Sequence, residues 1–247
     1  MTAGGRPGLL RLALTPVAVA VALLVLLVGV QRAGVPPEEA GVLSAGFLGT
    51  RLLQHVELVA TSFAVAAAIA LPLGILVARS GRTLRLPVVL AANLGQAIPS
   101  IALLALVFTV TGFTFRTTVI ALVVYAVLPI LRNTTAGLQG VDPEAVEAAR
   151  GMGMSQLQVL TRVQLPLAAP VVFAGLRTAL ILVVGTATLG NFVGGGGLGD
   201  VIEAGLTAAG LQPASRIVLV GAVLVAALAL IADWLLGLLE FAMVPAT

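Results

Sequence analysis

Six stretches of this chain are apolar over almost their whole length, at roughly 12–30, 55–78, 86–110, 117–132, 168–190 and 216–240. Apolar runs of about 18 residues or more suit helices that cross a bilayer. The fourth is short and is expected to end near Pro129. Between the fourth and fifth the pattern turns polar, over residues 133–167. Asp142 can cap a helix that begins with Pro143, whose missing N–H costs nothing there. Glu144 and Glu147 fall in the first turns, where carboxylates suit the helix dipole. Gly151 and Gly153 are expected to end this helix by taking backbone angles other residues resist. Ser155 and Gln158 have the spacing of a capping box for a second helix. Pro166 is expected to close it, and Pro170 sits at the start of the fifth span. The pattern therefore predicts an all-α membrane protein of about six transmembrane helices, interrupted by one polar helix–turn–helix. A hydrophobic chain has little reason to keep such a segment in water unless a soluble partner holds it. The competing reading is an amphipathic hairpin lying on lipid headgroups.

Composition agrees: 60% of the 247 residues are hydrophobic and 9% are charged, against about 25% charged in soluble domains. There is no cysteine, so disulfides and thiolate metal sites are excluded. Lysine is absent too, and all 13 basic residues are arginines. A P-loop needs a lysine on the nucleotide phosphates, so this chain hydrolyses no ATP through one. The high isoelectric point follows from arginine in short loops and is not a nucleic-acid signature. With the N-terminus inside, Arg6, Arg11, Arg79, Arg82, Arg85, Arg132, Arg150 and Arg162 are cytoplasmic. Arg32, Arg51, Arg116 and Arg216 are then outside, so the positive-inside bias favours this orientation and puts both termini in the cytoplasm. The run after Arg11 is longer than a signal-peptide core and no A-x-A site follows it, so a retained span is expected. The expected organisation is a first helix and outer loop over 1–54, a core over 55–240 with the cytoplasmic loop 133–167, and a tail over 241–247.

Glu147-Ala148-Ala149, three residues, Gly153, nine residues, Val163, one residue and Leu165-Pro166 together resemble the EAA loop of ABC importer permeases. Gln96-Ala97-Ile98-Pro99-Ser100 onward, Tyr125-Ala126-Val127-Leu128-Pro129 onward, Gly185–Leu189 and Gly194–Asp200 look like permeases for glycine betaine and other quaternary-amine osmoprotectants. The likeness covers about residues 52–238. It implies the type I importer permease fold, and a coupling helix that docks on a separate ATPase through Glu147, Ala148, Ala149, Arg150, Gly153, Leu165 and Pro166. It also implies that this subunit carries no cofactor, because ATP and Mg are bound by that ATPase. The other implied partners are an extracytoplasmic solute-binding protein and a second permease subunit, identical or paralogous. The expected solute is glycine betaine, carnitine, choline or proline betaine, or else an amino acid or amino-acid betaine.

Other polar residues within or beside the spans are candidates for the solute path. Gln96, Pro99 and Ser100 fall mid-span, where Pro99 is expected to kink the helix and free a carbonyl. Asn93 and Asn133 lie near the cytoplasmic ends of spans three and four, where they either line a vestibule or hydrogen-bond the helix ends. Thr186, Thr188 and Asn191 mark the outer part of span five. With the glycine run Gly194, Gly195, Gly196 and Gly197, read as flexible, they form a candidate outer gate. His55 and Glu57 are expected to snorkel at the interface, and Arg177 is expected to pair with Asp233. Ala64, Ala67, Ala68 and Gly74 suit close helix packing. Quaternary ammonium groups favour aromatic cages, yet one Trp, one Tyr and eight scattered Phe form no cluster along the sequence. Solute selection is therefore expected to fall to the binding protein. Gly197-Leu198-Gly199-Asp200 also matches the G-x-G-D string of intramembrane aspartyl proteases, which need a second facing aspartate; only Asp233 is available.

Overall fold

A computed structural model describes residues 9–32, 34–80, 86–88, 90–91, 95, 97–207 and 215–243. Among these residues there are helices and no strands. In chain order the helices are α1 (Leu9–Arg32), α2 (Pro37–Ala40), α3 (Ala45–Arg79), α4 (Ser100–Thr111), α5 (Phe115–Gln139), α6 (Pro143–Gly151) and α7 (Gln156–Val159). A π turn over Leu160–Gln164 joins α7 to α8 (Leu165–Ala187), and a 3-10 turn over Thr188–Val193 extends it. The last two are α9 (Leu198–Thr207) and α10 (Ser215–Met243). Among the described residues four helical stretches are long and apolar enough to cross a membrane: Ala45–Arg79, Phe115–Gln139, Gln156–Val193 and Arg216–Met243. Two shorter apolar helices, Leu14–Val30 and Ser100–Thr111, fall on the first and third expected spans.

The centre of the bundle is α5, packed along α3 on one side and α8 on the other. What lets these helices approach is a lack of side-chain bulk at the contacts. A Cβ on Gly74 of α3 would sit 2.7 Å from the Thr134 Cβ of α5. One on Gly175 of α8 would sit 2.5 Å from the Asn133 Cβ. The buried face of α3 runs through Leu58, Ser62, Ala66, Ala70 and Gly74, one residue per turn. The sequence expectation of small residues in the contact is met at Gly74, and Ala67 packs partly; Ala64 and Ala68 face outward instead. The Cβ spacing of four residues along one helix face selects Ala66 and Ala70 over them.

Four expectations about helix ends change. The fourth span does not stop at Pro129: α5 runs through it to Gln139. Pro166 does not close the second polar helix either. Pro166 cannot donate to the Arg162 carbonyl and its ring crowds that oxygen. The helix widens into the π turn just before it, with Leu165 N–H donating to the Leu160 carbonyl, and then continues. Third, only Gly153 takes a left-handed angle (φ +81°); Gly151 is the last residue of α6. Fourth, Pro99 breaks the third span outright, standing ahead of α4 as its extended N-terminal cap residue. The Ile98 carbonyl at that break accepts the Tyr125 hydroxyl at 2.6 Å. Helices α2 and α9, in segments read as loops, were not foreseen.

His55 is also placed differently from expectation. It is 0% exposed, inside the contact between α3, α8 and the start of α9. Its Nδ1 accepts the Leu198 N–H at 3.3 Å, so the ring proton is on Nε2, which donates to the Val184 carbonyl at 3.1 Å. Glu57, two residues on and so on the opposite side of the helix, is exposed. The expected Arg177–Asp233 pair is present at 3.8 Å, and Glu240 approaches the same guanidinium more closely, at 3.0 Å. Gly237 leaves room for it: a Cβ there would meet Arg177 Nη2 at 2.5 Å.

Filling the α3–α5 contact should be costly. Gly74→Leu is expected to destabilise the fold by about 1–3 kcal/mol, as overpacked cores do. Gly46→Leu, where a Cβ meets nothing within 4 Å, should leave stability nearly unchanged. Thermal unfolding of the two variants in the same detergent reads the difference.

Candidate functional site

At one end of the bundle the polar hairpin is built as its caps dictate. Asp142 Oδ1 accepts the Glu144 N–H at 2.9 Å, ahead of Pro143 in the first turn of α6. Ser155 and Gln158 form a complete capping box: the Ser155 hydroxyl accepts the Gln158 N–H at 3.3 Å, and Gln158 Oε1 accepts the Ser155 N–H at 2.8 Å. The turn between them closes on its own carbonyls, with Gly153 N–H donating to Arg150 and Met154 N–H to Ala149. Arg79 at the end of α3 reaches Gln156 at 3.3 Å and ties the hairpin to the bundle.

The candidate coupling residues divide into two groups. Glu147, Ala148, Arg150 and Gly153 are exposed on one continuous turn. Ala149 is turned inward at 1% exposure, and Leu165 packs partly against Leu138, Val141, Leu160 and Ala168 beneath the hairpin. Pro166 is half-buried. Sequence reasoning missed two residues here. Met152 and Leu157 are 72% and 67% exposed at the glycine turn; a large apolar residue between Gly151 and Gly153, and another two residues after Ser155, is the sequence signal.

The candidate path residues are spread along the bundle. Asn93 and Gln96 lie outside the described residues. Pro99 is exposed and Ser100 half-buried, at the start of α4. Asn133 donates from Nδ2 to the Pro129 carbonyl at 2.9 Å, a bond within its own helix. Thr186 is half-buried, and the Thr188 hydroxyl donates to the Gly185 carbonyl at 2.7 Å. Asn191 is 8% exposed and donates from Nδ2 to Glu203 of α9 at 2.9 Å.

The glycine run is a fitted turn at the opposite end from the hairpin. Gly194, Gly196 and Gly197 all have positive φ. A Cβ on Gly195 would meet the Thr118 hydroxyl at 2.5 Å, and one on Gly197 would meet His55 at 3.0 Å. Glycine is needed here because the backbone rides directly on α5 and α3, so the run expected to be flexible is closely packed.

Beside this run lies a cavity of about 660 Å³, lined by Arg51, Gln54, Glu57, Phe113, Phe115, Asn191, Gly194–Gly196, Asp200 and Glu203. Arg51 pairs with Asp200 at 2.8 Å, donates to Gln54 at 2.8 Å and stands over the Phe47 ring at 5.0 Å. Burial pushes the Asp200 carboxyl above its ordinary range; Arg51 opposes that shift and Glu203 adds to it. The sequence signal was available but went unread: Arg51, Gln54 and Glu57 recur every three residues on one helix face, as do Asp200 and Glu203. The two aspartates that a protease would need face to face are each held by an arginine, Asp200 by Arg51 and Asp233 by Arg177.

Residues 70–245 match the family described as binding-protein-dependent transport system inner membrane component. The carnitine transport permease protein OpuCD of Listeria monocytogenes is 42% identical over 76% of this chain and 82% of its own length. The glycine betaine/carnitine/choline transport system permease protein OpuCD of Bacillus subtilis is 40% identical over 82% of this chain and 86% of its own. The osmoprotectant import permease protein OsmW of Salmonella typhimurium is 37% identical over 82% of this chain and 94% of its own. The fold is shared with an inward-facing structure of the MetNI methionine ABC transporter, at a TM-score of 0.70 and 23% identity over 82% of this chain and all of that one. A multi-pass helical bundle with a capped polar hairpin, matched along most of its length, belongs to the family of binding-protein-dependent transport system inner membrane components.

Proposed function

We propose that this chain is the permease subunit of an ABC importer for quaternary-ammonium osmoprotectants: glycine betaine, carnitine, choline or proline betaine. The observation that carries the reading is the hairpin. Its two helices are capped at both starts, its turn is closed on its own carbonyls, and it still leaves Glu147, Ala148, Arg150, Met152 and Gly153 in solvent. A rigid, exposed turn at the end of an apolar bundle suits a protein groove. The solute class is supported by the carnitine and glycine betaine/carnitine/choline permeases that share about 40% identity with this chain.

In this reading the hairpin docks on an ATPase subunit that binds ATP and Mg, and Ala149 and Leu165 anchor it from below. The hairpin end faces the cytoplasm, as the arginine bias favours, so both termini are cytoplasmic and the chain sits in a bacterial plasma membrane. The opposite end, with the glycine run, receives the loaded binding protein. A second permease, identical or paralogous, completes the pathway. ATP binding draws the two hairpins together and shifts the bundles from inward to outward opening; hydrolysis resets them.

ATP-driven uptake of labelled glycine betaine, carnitine and choline, into vesicles holding this chain with its neighbouring ATPase and binding protein, tests the reading. Accumulation that needs both ATP and the binding protein is expected. Coupled ATP hydrolysis without uptake of any of the three would move the solute to another class, amino acids first. Gly153→Glu is expected to insert normally yet lose uptake at least about tenfold, because a side chain at a left-handed angle costs roughly 1–2 kcal/mol and stands on the docking turn. Normal uptake by that variant would remove the hairpin from coupling.

A further inference from the structure

We propose that the cavity beside the glycine run is a binding site for an organic cation, holding a trimethylammonium head between the rings of Phe113 and Phe115 and the carboxylates of Glu57 and Glu203. As a station on an import route it rests on the function proposed above; as a binding site it stands on the cavity alone.

Charge is the first argument. Three carboxylates line the cavity, Glu57, Asp200 and Glu203, against one guanidinium, Arg51. Asp200 already holds that guanidinium at 2.8 Å. Glu57 and Glu203 are left without a cation among the described residues lining the space, so the cavity attracts positive charge.

The second argument is the amide that orients one of these carboxylates. Asn191 is 8% exposed, lines the cavity and donates from Nδ2 to Glu203. A carboxylate only accepts, so this bond fixes which end of the amide is nitrogen. Asn191 Oδ1 is therefore an acceptor, buried and without a partner. Buried acceptors are satisfied in the great majority of proteins. This one is closed off from the cavity, so the amide serves the site by holding Glu203 in place rather than by touching a ligand.

The third argument is the apolar lining. Two phenylalanines line the space, a side chain whose ring faces attract quaternary ammonium groups, and about 660 Å³ is the size of a small-ligand site. Metal binding fits less well, because no group of three or more ligating side chains converges among the described residues. Choline suits this lining: its head is a cation for the rings and carboxylates, and it brings no anion. Glycine betaine brings a carboxylate into a space already rich in them. The site therefore ranks choline and tetramethylammonium above glycine betaine.

Equilibrium dialysis of labelled choline against the full chain in lipid nanodiscs, at fixed ionic strength, reads this directly. Choline is expected to bind saturably and to be displaced by tetramethylammonium but not by dimethylbutanol, its uncharged carbon isostere. Glu203→Gln and Glu57→Gln should each weaken binding about tenfold, the scale of one opposite charge held close to a cation near a protein surface. Glu57 is exposed and contributes nothing to the core, so its variant keeps the test valid if Glu203→Gln fails to fold. Equal displacement by dimethylbutanol, unchanged binding in the Glu57 variant, or no saturable binding to folded protein would each overturn the site. Uptake in vesicles without binding here would sink the site and leave the importer; binding here without uptake would keep the site and overturn the choice of imported solute.

Discussion

The constraint on which the structure depends is that backbone polar groups have no water to turn to inside an apolar layer. Unbroken helices meet it by themselves, and each interruption in this bundle is answered by a specific partner. At Pro99 the Ile98 carbonyl takes the hydroxyl of Tyr125, the single tyrosine of the chain. At Pro166 the helix widens by one residue so that Leu165 N–H still finds the Leu160 carbonyl. Where α9 begins, the Leu198 N–H is met by His55, the single histidine, which also serves the Val184 carbonyl. The rarest polar side chains of the chain are used where regular structure stops.

The two ends of the molecule are joined by one element. The stretch Gln156–Val193 starts in the capped hairpin, passes the π turn, crosses beside α5 and α3, and finishes in the 3-10 turn that carries Asn191. Both irregular segments sit near its ends, while its centre is fixed by Gly175 on Asn133 and by the core around Ala179 and Val183. In the proposed importer this arrangement lets the docking turn and the solute-facing cavity belong to one lever. A π turn holds a local surplus of one residue in a helix, so adjustment at the hairpin falls there before it reaches the packed centre.

Sequence alone carried the helical class, the positions of the apolar runs and the hairpin with its caps, because each depends on local spacing. It also placed Arg177 opposite Asp233, since antiparallel helices bring residues at similar depth together. It failed where the outcome depends on a third element. His55 reads as interfacial from its own helix and becomes core only because α8 and α9 close over it. Gly194–Gly197 reads as flexible until the Thr118 and His55 side chains beneath it are known. Pro166 reads as a stop, since a π turn has no sequence signature comparable to a cap. The polar cavity was hidden for the same reason: Arg51, Phe113, Asn191 and Asp200 come from four separate segments.

The scarcity of aromatic residues takes on a different meaning once Phe113 and Phe115 are seen to share a space with Glu57 and Glu203. A full aromatic cage would hold a quaternary ammonium group tightly, which suits a protein that must capture solute from a dilute medium. A transport subunit is under the opposite pressure, because a solute bound too firmly does not move on; conduction pathways need sites that are entered readily and left readily. Two rings and two partly solvated carboxylates make such a site. Cation–π contacts at exposed positions contribute about 0.5–1 kcal/mol each, and the charge attraction is screened by salt over about 8–10 Å. Affinity so composed weakens as ionic strength rises. A cation would be held least firmly under the conditions in which an osmoprotectant is most needed, when fast release into the pathway matters more than retention.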